Sequence, residues 1–333
     1  MSELAEDTFA EQTEKYRHEL RVHCYRMLGS FDDAEDMVQE TFLRAWRKRA
    51  TFQGEHGDGR SLRAWLYRIA TNACIDDARR PQRVLPHQLE PASFPKEALP
   101  ARDDLPWLQP FPDVLLDRAE EPDAEVVRRE TIELAFLIAI QHLPARQRAV
   151  LIFRDVLGWS AKETADLLDS SVASVNSALQ RARPVLREHL PPRRTEWAPA
   201  GDPSAEEQAL LAKYMEAFER ADAAGLAALM HEDIRVTMPP YPFWFFGRED
   251  ATRALAANFG PEGDAYRGEW QYLVAGVNRQ PALADFLREP GDTIFRPFGL
   301  SVFRIEDGKI AEMTAFETTD FALYGLPDHL ASA

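Results

Sequence analysis

Apolar positions recur at intervals of three and four through most of residues 8–80, the spacing of helices that bury one stripe. In DDAEDMVQETFLRAWRKR (residues 32–49), Ala34, Val38, Thr41, Phe42 and Ala45 share a face. In SLRAWLYRIATNACIDDARR (residues 61–80) the stripe is Leu62, Leu66, Ile69 and Ala73, with Ile75 beside it. Gly29 and the glycines of QGEHGDG (residues 53–59) are the breaks. The helical period resumes near Asp123 and runs to about Leu190, interrupted at Leu143-Pro144 and at Gly158. Between the two helical stretches, PQRVLPHQLEPASFPKEALPARDDLPWLQPFPD has no period and many prolines, so it reads as a linker. Its aromatics Phe94, Trp107 and Phe111 are unusual for a passive tether. PPRRTEWAPAGDP (residues 191–203) is a second linker. The texture then changes. A helical stretch, AEEQALLAKYMEAFERADAAGLAALM, leads into alternating DIRVTMP, a helix around Arg248–Phe259, and strand-like runs near Gly268–Val277, Phe298–Ile305 and Lys309–Glu317. Asp307-Gly308 is a strong hairpin signal. This order predicts an α+β domain with a curved antiparallel sheet.

The chain has 333 residues, too many for one typical core, and 45% of them are apolar, which suits globular domains. There is no run of about 18 apolar residues, and the acidic start lacks the basic-then-apolar order of a signal peptide. A cytoplasmic protein is expected. Cys24 and Cys74 each sit inside a helical apolar pattern, which predicts buried thiols; no metal or cofactor site is expected. The net charge of −16 argues against nucleic acid, but it is unevenly spread. Residues 1–82 carry −2, residues 83–127 carry −6, residues 195–199 carry −1 and residues 200–333 carry −11, whereas residues 128–194 carry +4. A basic segment in an acidic chain is a hint of a nucleic-acid contact there.

That segment contains GWSAKETADLLDSSVASVNSALQRARPVLREHL, which has helix-turn-helix spacing. Ser160 and Glu163 form a capping box, Ala165 and Leu168 face inward, and Asp169 and Ser170 make the turn. Val172, Val175, Leu179 and Ala182 give the buried stripe of the second helix. Ser171, Ser174, Asn176, Ser177, Gln180, Arg181 and Arg183 are left on its outer face. Small polar residues near the N-terminus admit the helix to a major groove; amides and arginines then meet base edges and phosphates. Asn176 and Ala178 occupy slots where a stronger binder carries Lys or Arg, so weak binding in isolation is expected.

Two further polar stripes are not needed by their helices. Asp36, Gln39, Glu40, Leu43 and Arg47 line one face of residues 32–49, and Trp65, Arg68, Asn72, Asp76, Arg79 and Arg80 line faces of residues 61–80. The second set interleaves aromatic and basic groups with an amide, which suits unstacked bases and phosphate.

DAEDMVQETFLRAW, then WLYRIATNACIDDARR, a variable linker, and LPARQRAVLIFRDVLGWSAKETADLLDSSVASVNSALQRAR together resemble the extracytoplasmic-function (ECF) sigma factors of bacterial RNA polymerase, over about residues 10–190. The resemblance implies a region 2 domain at residues 8–82, a linker at 83–122, a region 4 domain at 123–192 and a second linker at 193–203. Asp36, Gln39, Glu40 and Leu43 then match the surface that docks on core polymerase. The helix carrying Asn72, with Trp65, Arg68, Asp76, Arg79 and Arg80, matches the −10 reader, in which a flipped base falls near Asn72. The helix-turn-helix matches the −35 reader. Weak contacts at two promoter elements become specific once polymerase fixes their spacing.

Residues 204–328 resemble a fused SnoaL-like (NTF2-like) cone domain. Met238, Trp244 and Phe316, with Tyr241, Phe243 and Phe245, are pocket or rim candidates, and Arg279 and Asp285 are possible polar pocket groups. His231 and Asp233 read as an exposed loop at a strand start, not as a catalytic pair. The implied architecture is multidomain, two all-α domains followed by an α+β cone. The implied function is promoter-specific initiation, regulated in cis by the C-terminal domain, which has room for an unknown small ligand. A one-component DNA-binding regulator and an NTF2-like enzyme fused to a DNA-binding module are the rival readings.

Overall fold

The computed structural model describes residues 3–52, 61–77, 83–89, 100–102, 104–117, 132–190, 203–318 and 320–331; Phe94, Arg79 and Arg80 lie outside these. The chain divides into two units, one of residues 1–83 and 115–200, the other of residues 84–114 and 201–333.

In the first unit, α1 (Glu3–Glu14), α2 (Arg17–Leu28), α3 (Phe31–Lys48) and α4 (Leu62–Asp77) follow the apolar stripes. Gly29, at φ 67°, ends α2 with its N–H on the Tyr25 carbonyl, and Ser30 then caps α3 by accepting from the Asp33 N–H at 3.2 Å. Ala34, Val38, Thr41 and Ala45 are fully buried, with Phe42 at the margin. Helix α4 is buried more widely than its stripe implies: Tyr67, Ala70, Thr71 and Cys74 are also inside. Cys24 and Cys74 are buried free thiols.

The helical stretch resumes, among the described residues, with α5 (Leu134–Gln141), α6 (Ala145–Leu151), a π-turn over Ile152–Val156, α7 (Ala161–Leu167) and α8 (Val172–His189). Pro144 separates α5 from α6. A buried arginine joins this part to the first. Arg148 Nε donates to Ile140 O at 2.9 Å, and Nη2 donates to Gln141 O and Leu143 O at 3.0 and 3.1 Å; Nη1 donates to Met27 O at the end of α2. One guanidinium thus satisfies the open carbonyls of two helix ends. Around it, His23 packs against Tyr67 and Phe153, with ring centroids 5.0 and 5.2 Å apart, and Trp159 lies 5.4 Å from Tyr67.

In the second unit, α9 (Ala205–Glu219) and α10 (Ala223–Leu229) precede a sheet of β1 (Met230–Thr237), β2 (Trp244–Phe246), β3 (Glu269–Val277), β4 (Gln280–Arg288), β5 (Ile294–Glu306) and β6 (Lys309–Glu317), with α11 (Arg248–Ala256) after β2. The strand order is β2-β1-β6-β5-β4-β3, and a short β7 (Leu330–Ala331) pairs with β5. Among the described strand pairs of this sheet, β1 with β6 is parallel and the rest are antiparallel. Leu210, Leu211, Tyr214 and Phe218 of α9 pack with Ile234, Val236, Phe245, Leu283, Phe303 and Met313 on the inner face of the sheet. Strand β4, QPALADFLR, is not among the expected strands. It is buried on both faces, so it lacks the alternation that marks a half-buried strand.

Residues 83–122, expected as a linker, are in part a structural piece of this unit. Val84 forms a one-residue bridge to Trp107, and Pro112 forms one to Val277 at the end of β3. The β3–β4 turn, Asn278-Arg279, has φ of 55° and 53°, a strained pair with no glycine. Phe111 N–H donates to Asn278 Oδ1 at 2.7 Å, Asn278 N–H donates to Phe111 O at 3.0 Å, and Arg279 N–H donates to Asp113 Oδ1 at 2.9 Å. The passing segment therefore locks the turn. Leu85, Leu108 and Phe111 are buried as completely as any core residue. The β5–β6 hairpin turns at the expected Asp307-Gly308, at φ 50° and 70°.

Candidate nucleic-acid interface

Helix α8 presents its outer face as the spacing requires. Ser171 caps it, accepting from Ser174 N–H at 3.1 Å, and Ser171, Ser174, Asn176, Ser177, Gln180, Arg181 and Arg183 are all exposed. The preceding helix α7 starts from the expected box: Glu163 N–H to Ser160 Oγ at 3.1 Å, and Ser160 N–H to Glu163 Oε2 at 2.8 Å. Asp169 forms the turn at φ 46°. Two expectations are corrected. Val172 is not in the buried stripe but 44% exposed, because it is the first helical residue and sits ahead of the turn that packs. Ala178 is not an outer slot but buried, completing the stripe with Val175, Leu179 and Ala182. Arg183 is not freely available, since it holds Asp155 in a two-point pair at 2.8 and 3.0 Å.

On α4, Arg68, Asn72 and Asp76 fall on one line at i, i+4 and i+8. Asn72 is exposed. Arg68 is ion-paired with Asp169, the turn residue of the helix-turn-helix. Asp76 is paired with Arg44 at 3.1 Å, and Arg44 also takes Glu40 at 2.7 Å. Trp65 is not displayed for stacking: it is half-buried between Phe52, at 5.0 Å, and Phe9, at 6.4 Å. Aromatic spacing alone does not separate a stacking platform from a packed cluster.

On α3, Asp36, Gln39 and Leu43 are exposed and Glu40 is half-buried under Arg44. Leu43 is 51% exposed in the middle of this polar stripe. Other acids of the same helix are already paired: the buried Asp33 with Arg83 and the partly buried Glu35 with Arg21.

The pocket candidates divide by the pleat. Phe243 and Phe245 belong to the inner face, and Met238 follows Ile234 and Val236 toward it, half-buried. Trp244 and Phe316 do not line the cone. They alternate with Phe245 and with Met313 and Ala315, so they lie on the outer face; Trp244 sits 6.1 Å from the His87 ring and 5.7 Å from the Arg235 guanidinium. Tyr241 is half-buried and stacks 5.7 Å from Phe243. Arg279 is buried in the β3–β4 turn, where its backbone N–H is held by Asp113. Asp285 is inside the cone, buried, with Ser301 Oγ donating to it at 2.7 Å. His231 and Asp233 pair with each other at the start of β1.

Family models match in the order of these units: Sigma-70 region 2 at residues 13–84, Sigma-70 region 4 at 134–184, and a SnoaL-like domain at 211–313. The chain belongs to the ECF sigma factors of bacterial RNA polymerase and carries a C-terminal SnoaL-like domain. It is 42% identical to the ECF RNA polymerase sigma factor SigG of Mycobacterium tuberculosis (strain ATCC 25618 / H37Rv), over 97% of this chain and 85% of that protein. It is 29% identical to the ECF RNA polymerase sigma factor SigW of Bacillus subtilis (strain 168), over 56% of this chain and 90% of that one. Among solved structures, the crystal structure of the M. tuberculosis ECF sigma factor SigJ covers 96% of this chain and 100% of its own, with a TM-score of 0.58 and 21% identity. That last likeness is one of fold. Among the described residues, no helix is long and apolar enough to cross a membrane.

Proposed function

We propose that the chain docks on core RNA polymerase through Asp36, Gln39, Glu40 and Leu43, engages the −10 element around Asn72, reads the −35 element with α8, and is controlled in cis by its C-terminal domain. The observation that carries the docking surface is Leu43, a half-exposed leucine ringed by acids and an amide on a helix whose core stripe is already complete. Ser171, Ser174, Asn176, Ser177, Gln180 and Arg181 are the −35 set, and Val172 adds an apolar contact suited to a thymine methyl. Asn72, Arg68 and Asp76 are the −10 set; Arg68 and Asp76 must first leave Asp169 and Arg44.

The two promoter elements lie about 25 base pairs apart, roughly 85 Å at 3.4 Å per pair. A compact unit of this size has a radius of gyration of about 15 Å. Regions joined through Arg148, His23 and the Arg68–Asp169 pair do not reach both elements at once. This is the closed, unengaged form, and polymerase separates the two regions. Control in cis is supported by residues 84–114, which connect regions 2 and 4 and are bound to the C-terminal domain. That domain acts as a regulatory, non-catalytic module with space for a small ligand.

The deciding experiment is retention on immobilised core polymerase, with duplex binding measured in parallel. Wild type should be retained, and Glu40→Arg and Leu43→Asp should each lose at least about tenfold in affinity with an unchanged circular-dichroism spectrum. Wild type that ignores core but binds duplex DNA tightly by itself is instead a one-component regulator.

A further inference from the structure

Arg44 of α3 stands between the two surfaces proposed above and belongs to neither. Its Nε donates to Glu40 Oε1 at 2.7 Å, and its Nη1 donates to Asp76 Oδ2 at 3.1 Å. Glu40 is one turn earlier on α3 and is assigned to polymerase. Asp76 is on α4, one turn after the exposed Asn72, and is assigned to the −10 strand. One guanidinium therefore ties an acid of the docking face to an acid of the promoter face. The knot is open to solvent: the side chains of Arg44, Glu40 and Asp76 are 32%, 33% and 67% exposed. Ion pairs this exposed contribute little to stability, so charged partners displace them readily.

Engagement separates the three groups. Polymerase takes Glu40, the promoter strand takes Asp76, and Arg44 is left as an unpaired cation close to Asn72. A guanidinium has five N–H donors, of which these two bonds occupy two among the described residues. Its planar fork matches two oxygens of one phosphate. The hydrogen bond to Glu40, ahead of that to Asp76, holds the guanidinium pKa above its ordinary value against the pull of burial. Its charge is therefore constant, and only its partners change.

We propose that Arg44 is a ligand for a backbone phosphate of the promoter strand beside Asn72, withheld by Glu40 and Asp76 in the free chain and released when those acids turn to their own partners. This rests on the docking and −10 assignments above and adds a residue to them. In the free chain the trio sets one cation against two anions, a net negative site that repels phosphate. With both acids drawn away the same site is positive. A purely structural Arg44, tying α3 to α4 and nothing more, would keep its acids and leave no mark on the salt dependence of strand binding.

The test follows a fluorescein-labelled oligothymidylate by anisotropy between about 50 and 300 mM KCl, with the full chain alone and with the chain on core polymerase. On core, Arg44→Gln should weaken binding at least about threefold and lower the slope of log affinity against log salt by about 0.7, the value of one phosphate contact on a single strand. Arg44→Lys keeps the charge and should keep the slope. In the free chain, Glu40→Gln should tighten binding at least about threefold, and adding Arg44→Gln should abolish that gain. An unchanged slope for Arg44→Gln on core overturns the proposal, as does a Glu40→Gln gain that is absent or that survives Arg44→Gln. Both Arg44 variants should melt with the wild type and be retained on core, which separates a lost phosphate contact from a lost fold. Failure of the wild type to bind core would instead refute the docking assignment, and the free-chain comparison would still decide the role of Arg44.

Discussion

His23 shows how much one side chain can tie to pH. It is fully buried against Tyr67 and Phe153, with its Nε2 2.9 Å from Thr71 Oγ1. Burial, assisted by Arg26, lowers its pKa to about 3. The folded ring is therefore neutral, while the unfolded ring takes a proton below about 6.5. Stability from this group is complete above that value and is lost as the pH falls toward 3, at about 1.4 kcal/mol per pH unit. Urea unfolding at pH 7.5 and pH 5 should differ by roughly 2 kcal/mol from this residue, and His23→Gln should remove that component. Asp285 has the opposite sign. Its folded pKa is raised, so its contribution is present below about 4 and disappears as the pH rises through about 7. Residues were only partly legible in the sequence. The outer face of α8 was, because it is the complement of a buried stripe. Val172 left the stripe because the first helical residue sits ahead of the turn that packs, whereas Ala178 joined it by lying three residues from Val175. Trp65 was misread as a stacking platform because its partners, Phe9 and Phe52, are distant in sequence and its period carries no trace of them.

At the scale of elements, the joint between regions 2 and 4 depends on Arg148. Its guanidinium serves three carbonyls in its own hairpin and one at the end of α2. Arg148→Met keeps the volume but strands those carbonyls, at an expected cost of about 3–5 kcal/mol in urea unfolding. Arg148→Lys should recover little of it, because an ammonium lacks the planar fork. Helices, the Ser160–Glu163 capping box and the Asp307-Gly308 hairpin were legible, since each is set by local chemistry. Strand β4 was not. Its identity depends on being covered on both sides, by α9 and the inner core on one and by the Phe321–Tyr324 turn, with Phe321 4.9 Å from Phe286, on the other. The side of the sheet facing Trp244 and Phe316 was likewise set by register, which the sequence pattern alone leaves open.

For the molecule as a whole, chain order and structural order differ. The backbone leaves the first unit after residue 83, enters the second through residue 114, returns, and leaves again at residue 200. The compositional signal, proline without period, was real, but it reported an absence of regular structure and not an absence of attachment. Phe111→Ser with Asp113→Ala should release the segment by removing its buried ring and its hold on the β3–β4 turn. If the C-terminal domain controls initiation through this segment, the double variant should change promoter output in transcription assays while leaving core retention intact; unchanged output would place control elsewhere.

The same attachment alters what a deletion means. Cutting the gene after residue 192 would discard the surface on which Leu85, Leu108 and Phe111 rest, and the shortened product would carry a greasy strand prone to self-association. A protease nick between residues 191 and 203 is the cleaner operation. It severs the covalent path, yet both fragments should travel together through a sizing column until denaturant loosens Phe111 and Asp113 from the β3–β4 turn that holds them.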